Sequence, residues 1–166
     1  MIVGNSMSFA SGFDAMYAIK TDVNGDTLWT KIYEKEFMNG AYSVIQTSEN
    51  GFMIAGSTGP DAPSTFDCYV VRTNSMGDTL WTKSYGGTSY DVLTCICKLT
   101  DGNYLLSGTT ASFGAGGYDM YLIKIDTSGE VIWEKTYGGT ANDYGYFCTA
   151  SSFGAVIVGE TSSFGQ

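Results

Sequence analysis

Short runs of apolar and β-branched residues, each about seven residues long, recur along this chain between clusters of Gly, Asn and Asp. Four series are visible. Ala41–Ser48, Asp91–Leu99 and Asp143–Ala150 form the first, and Phe52–Thr58, Tyr104–Thr110 and Ala155–Thr161 the second. Met16–Asp22, Cys68–Asn74 and Met120–Asp126 form the third, and Thr27–Tyr33, Thr79–Tyr85 and Val131–Tyr137 the fourth. Such runs, rich in Val, Ile, Tyr, Trp and Thr and bounded by turn formers, predict β-strands. No window sustains a helical period.

The series are copies of one another. Trp29, Trp81 and Trp133 stand at a constant step of 52 residues, and Tyr33, Tyr85 and Tyr137 keep that step, as do Tyr17, Tyr69 and Tyr121. Around them MYAIKTDVNGDTLWTKIY, CYVVRTNSMGDTLWTKSY and MYLIKIDTSGEVIWEKTY repeat. Two connections in each repeat are tight: SENG, TDGN and SSFG join the first run to the second, and DVNGD, NSMGD and DTSGE the third to the fourth. Gly or Asn supplies the positive φ of a hairpin turn there, so consecutive strands should be antiparallel. Asp22, Asn74 and Asp126 should cap the second kind of turn. They lack the alternating acidic ligands and distal Glu of a calcium loop.

Pattern also orders the strands. The fourth run carries Lys31, Lys83 and Lys135, which suits an outer edge where charge discourages further pairing. The second is apolar on both faces and needs sheets packed on both sides. Radially stacked four-stranded sheets meet that need, and about 52 residues suits one propeller blade. The expected fold is therefore all-β: β-propeller blades, four-stranded and antiparallel, forming a partial propeller. One segment over 1–166 divides into repeats at approximately 1–40, 41–85, 86–137 and 138–166, the outer two incomplete. IVGNS at the start and VIVGETSSFGQ at the end both match the second run. The tryptophans, recurring in register, are expected to pack between blades.

Composition narrows the chemistry. The 166 residues carry 22 Gly, 14% aromatics and a formal net charge of -9, with eight Lys plus Arg scattered singly. No basic stripe exists to replace counterions, so a nucleic-acid partner is not expected. No apolar run reaches the ~18–20 residues of a membrane helix, and the first residues lack the basic and apolar regions of a signal peptide. There is no His, which removes Cys/His zinc sites and Cys–His dyads. Cys68, Cys95, Cys97 and Cys148 fit a core as small hydrophobes, with the neighbours Cys95 and Cys97 on one strand face. GxSxG, GxxxxGK[ST] and GxGxxG before a helix are absent, and no cofactor or metal is expected.

The string GGYDMYLIKIDTSGEVIWEKTYGGTANDYGY resembles the β-propeller repeat of large secreted and cell-surface bacterial proteins, above all Bacteroidetes-like repeat proteins with type IX sorting tails. The likeness covers essentially the whole chain. The Trp-plus-glycine turn is also similar to that of quinoprotein propellers, though shorter by one residue, and to a sialidase Asp-box with its Gly one residue further from the aromatic. The resemblance implies a fold and a secreted or cell-surface location, and no activity.

Candidate binding residues gather where the long connections lie. Asp91 and Asp143 follow the YGG turns, Asp67 and Asp119 open the third run, and Tyr90, Tyr118, Tyr144, Phe9, Phe113 and Phe164 stand nearby. Carboxylates, hydroxyls and exposed rings together suit a sugar; equally, each Asp could cap a loop through backbone N–H groups. The function expected is a non-catalytic module, an extracellular scaffold or a surface for a carbohydrate or protein ligand. Two readings stay open beside it: the propeller part of a larger glycan-active enzyme, and a fragment completing a ring with other copies of itself. Its partner would be the remainder of a longer propeller or further copies.

Overall fold

The computed structural model describes residues 1–8, 13–60 and 65–164; Phe9 lies outside them. Thirteen strands and no helix form among these residues. They are β1 (Ile2–Ser6), β2 (Ala15–Thr21), β3 (Thr27–Tyr33), β4 (Met38–Gln46), β5 (Phe52–Gly59), β6 (Asp67–Thr73) and β7 (Thr79–Tyr85). Then come β8 (Asp91–Lys98), β9 (Tyr104–Thr110), β10 (Asp119–Ile125), β11 (Val131–Tyr137), β12 (Asp143–Ser151) and β13 (Gly154–Thr161). The expected runs match these bounds to within a residue or so, except that β4 runs from Met38 to Gln46 instead of Ala41–Ser48, because Met38, Asn39 and Gly40 already pair with Gly59, Thr58 and Ser57 of β5.

Four antiparallel sheets result, ordered β1-β2-β3, β4-β5-β6-β7, β8-β9-β10-β11 and β12-β13. The Lys-bearing strands β3, β7 and β11 are edges, as their charge predicts. The turns explain the meander. Asp22 Oδ1 accepts from the N–H groups of Asn24 at 2.8 Å and Asp26 at 2.9 Å; Asn74 and Asp126 bond their own turns in the same way. Gly25, Gly77 and Gly129 hold φ of 90°, 80° and 82° behind these caps, where a Cβ would be strained.

Sheets stack face to face through three apolar layers. Met16, Tyr33, Ile54, Tyr69 and Val71 fill the first; Met53, Val70, Leu93, Leu106 and Ile123 the second; Cys95, Leu105, Leu122 and Cys148 the third. The central sheets are thus covered on both faces, which is why β5 and β9 are buried at every position. The expected placement of the tryptophans also holds, for Trp29, Trp81 and Trp133 each lie against one of these layers. Cys95 and Cys97 both touch the third layer, from one strand face, and all four cysteines are free thiols.

At one edge the sheets converge. β8 contacts β4 and β5, and β12 contacts β8 and β9, whereas the outer strands β3, β7 and β11 make no comparable approach among the described residues. Each first strand carries a β-bulge at the same repeat position, Tyr42, Thr94 or Tyr146. The bulge pushes backbone against the neighbouring strand, so a Cβ at Gly56 or Gly108 would collide with the carbonyl of Gly40 or Val92.

Candidate functional site

Antiparallel pairing places the start of β8, the end of β9 and the start of β10 together: Asp91 and Asp119 both face Thr110. The longer connections leave from this end, and the tight hairpins close the other. The sequence-predicted aspartates and tyrosines, Asp67, Asp91, Asp119, Asp143, Tyr90, Tyr118 and Tyr144, sit at this end, at or beside the starts of β6, β8, β10 and β12.

The carboxylates are turned into the protein. Asp91 has no exposed surface. Its Oδ1 accepts from the Thr110 hydroxyl, and its Oδ2 accepts from the Ser112 hydroxyl at 2.6 Å and the Gly87 N–H at 2.8 Å. Asp143 repeats the arrangement with Thr161, with Ser163 at 2.6 Å and with the Gly139 N–H at 2.9 Å. These donors, Ser163 first and Thr161 next, hold its carboxyl down at about 2. Asp119, also buried, accepts from Ala115 N–H at 3.0 Å and Gly116 N–H at 3.4 Å. Asn39 stands in the same place one repeat earlier, accepting from Thr58 at 2.7 Å. Each of these residues also joins two sheets: Asn39, Asp91 and Asp143 donate backbone N–H groups to Asp14, Phe66 and Tyr118 carbonyls at 2.9, 2.6 and 2.7 Å.

The acids approach one another in pairs. Asp119 and Asp143 flank Gly138, where a Cβ would strike both carboxylates. Asp67 is half-buried beside Asp91; its carboxyl is raised by burial, with Lys35 opposing and Asp91 and Glu36 adding to the shift. Within that pair Asp91 is the member held by three donors.

The aromatic residues are arranged differently. Phe66, Tyr90, Tyr118, Tyr144 and Tyr146 form a continuous row, with successive ring centroids 5.8, 5.8, 5.5 and 6.4 Å apart. Four of them border a groove of about 310 Å³: Tyr90, Tyr118, Tyr144 and Tyr146, with Val92 and the hydroxyl-bearing Thr94 and Thr109. The last pair of rings is parallel, at an interplanar angle of 1°, and Tyr146 donates its hydroxyl to Glu160 at 2.9 Å. Phe113 is elsewhere. It packs on Tyr121 at 5.6 Å and lines a separate hollow of about 280 Å³ with Glu134 and Lys135. Phe164 lines a third, near Asp143 and Glu160. A hollow of about 530 Å³ between Phe13, Phe37 and Pro60 is crossed by the charges of Glu34, Lys35 and Glu36.

Sequence reasoning missed Thr94 and Tyr146. Their common signal was available, since positions 42, 94 and 146 keep the repeat step, but that each is the extra residue of a β-bulge shows only in the fold. It also missed Thr110, Ser112, Thr161 and Ser163, the T-x-S pairs that clasp the aspartates.

No protein-family model matches the chain. It is similar to the regulatory protein FlaEY of Caulobacter vibrioides, with 25% identity over 150 residues, 75% of this chain. The chain spans about 16% of the length of that curated relative.

Proposed function

We propose that this chain is a non-catalytic β-propeller segment whose converging, long-loop end binds carbohydrate along Tyr90, Tyr118, Tyr144 and Tyr146. The observation that carries the reading is the row of rings, with their phenolic hydroxyls, beside a groove of about 310 Å³. A pyranose offers an apolar C–H face and a polar rim; rings suit the first and hydroxyls the second. Asp91, Asp119 and Asp143 act here as positioning residues, fixing the connections that carry Tyr90 and Tyr118. Wedge-like stacking supports the propeller part of the reading, because the sheets meet along β4, β8 and β12 and spread towards β3, β7 and β11. A secreted or cell-surface setting follows from the repeat resemblance and suits a glycan ligand.

A glycan array followed by calorimetric titration tests the proposal. Tyr118→Ala should weaken binding about tenfold, the ~1.4 kcal/mol expected of one stacked ring, while Asp126→Ala on the opposite end should leave it unchanged. Equal losses in the two variants would discard the groove. Hydrolysis of the bound sugar would replace the binding module with an enzyme.

A further inference from the structure

Three of the four cysteines meet at one junction between sheets. Cys95 and Cys97 lie on β8 and Cys148 on β12, and all three share the third apolar layer with Leu105 and Leu122. The Cys95 thiol donates to the Cys148 carbonyl at 3.4 Å, and the Cys148 thiol to the Leu105 carbonyl at 3.7 Å. Cys97 and Cys148 also bond to each other through their side chains. Cys68 is apart from them, on β6 in the second layer.

The repeat shows that packing does not call for sulfur at this place. One step of 52 residues earlier the same three positions hold Ser43, Ile45 and Ile96. They meet at the preceding junction in the same way. Ser43 and Ile45 lie on β4 and Ile96 on β8; Ile45 packs against the layer that contains Ile96, and the Ser43 hydroxyl accepts the Ile96 N–H at 3.2 Å. One hydroxyl and two branched alkyl groups therefore serve that junction. In the next one all three positions are cysteine together, which sets a dithiol, with a third thiol beside it, across two sheets.

The three thiols differ in reach and acidity. Cys97 is partly exposed, and its bond to Cys148 lowers it. Cys95 is buried and raised, chiefly by its own bond to Cys148 and then by burial. Cys148 is buried as well; bonding to Cys95 lowers it, but bonding to Cys97 and burial outweigh that and push it up to about 11. Cys97 is therefore the thiol that an oxidant reaches and the one that supplies thiolate most readily, with Cys148 waiting behind it.

We propose that Cys97 and Cys148 are a peroxide-sensitive pair whose disulfide staples β8 to β12. The Cys97 thiolate attacks one oxygen of hydrogen peroxide; the O–O bond breaks, a sulfenic acid forms at Cys97, and the other oxygen leaves as hydroxide. The Cys148 sulfur then attacks the Cys97 sulfur, the S–O bond breaks, and a second hydroxide leaves as the S–S bond forms. The two thiol protons turn both hydroxides into water, and two electrons pass from the thiol pair to the peroxide. Cys95 stays reduced, its thiol held on the Cys148 carbonyl. The staple joins sheets that are otherwise held by packing and by hydrogen bonds such as that of the Thr94 hydroxyl to the Gly145 carbonyl at 2.8 Å.

The full chain, reduced and then treated with hydrogen peroxide in the absence of denaturant, should lose the mass of two hydrogens and still migrate as a single chain on a non-reducing gel. Fragmentation of its non-reduced tryptic digest should place the bond between Cys97 and Cys148 and find Cys68 and Cys95 as thiols. The oxidised chain should melt about 5–15 °C above the reduced one, as a cross-link over this length of chain implies. Cys95→Ser should cross-link like the wild type, and Cys97→Ser should not cross-link at all; the digest of the wild type decides the pairing even where a serine variant folds poorly. A bond from Cys95 to Cys148, bonds between chains, or a Cys97 that runs on to sulfinic acid while Cys148 stays reduced would each overturn the proposal. So would a linked chain that melts no higher than the reduced one.

Discussion

Replacing Asp91 separates a loop clasp from a ligand contact. Asp91→Ala strips the acceptor from the Thr110 and Ser112 hydroxyls and from the Gly87 N–H. Thr110 is sealed from water, while Ser112 is only half-buried and Gly87 is exposed. The last two can rebond to solvent; Thr110 cannot without giving up the Ser112 and Phe113 N–H groups that its oxygen accepts at 3.0 and 3.2 Å. A stranded buried donor costs about 1–3 kcal/mol and a lost bond to a charged acceptor about 1.5–3, so the net loss should be about 3 kcal/mol. For a chain of this size that is a fall in melting temperature of about 6–12 °C. Asp91→Asn keeps one acceptor but points an amide at the Gly87 donor, and should cost about half as much. Asn39 shows that an amide serves the position when its surroundings suit: its Nδ2 donates to the Asp14 and Glu36 carbonyls at 3.2 and 2.8 Å. Differential scanning calorimetry of the three chains gives the order, and sugar titration well below the melts gives the second readout. Should Asp91→Ala melt within about 2 °C of the wild type, or Asp91→Asn lose sugar binding with its melt unchanged, the clasp would be refuted.

Gly77→Ala should destabilise more than Gly25→Ala by about 1–2 kcal/mol in chemical denaturation, because both incur the positive-φ strain but only at Gly77 does the Cβ also meet the Trp29 ring. Acid titration followed by near-ultraviolet circular dichroism should show the Asp143 contribution. The hydroxyls of Ser163 and Thr161 hold its carboxyl at about 2 in the folded chain, below its ordinary 3.8. That stability is complete above pH 3.8, declines as pH falls and is gone once pH passes below about 2, and Ser163→Ala should shift the loss to higher pH. Alkylation at pH 8 read by mass spectrometry should modify Cys97 first. A Cys148 bond lowers the Cys97 thiol, which is partly exposed, while Cys148 is pushed up to about 11, with bonding to Cys97 among the causes, and buried Cys68 is raised further by burial.

Most of the architecture was legible because the chain states each element several times. One DTLWTK segment is an ambiguous apolar run; three in register, each behind an Asx-Gly turn, fix strand, hairpin and edge at once. Strand order followed from the tight hairpins, and the outer edge from the charge that Lys31, Lys83 and Lys135 set on the fourth run. The bulges were not legible. Inserting Tyr42, Thr94 or Tyr146 reverses the inward–outward alternation along β4, β8 and β12, yet neighbouring residues such as Val44 and Ile45 are both apolar and suit either face. What a repeat conceals is the difference between its copies. The position of Tyr42 and Tyr146 holds Thr94 in the middle sheet, where a second ring would fill the groove, and the Thr94 hydroxyl donates instead to the Gly145 carbonyl at 2.8 Å, tying β8 to β12. The groove is therefore opened by the one departure from the repeated aromatic, between Tyr90 and Tyr118 on one side and Tyr146 on the other. Restoring the consensus with Thr94→Tyr should occlude sugar binding while the sheets remain stacked, a result that binding and melting curves on one variant would read directly. Retained affinity with a ring at position 94 would mean that the space between those tyrosines is not where the ligand sits.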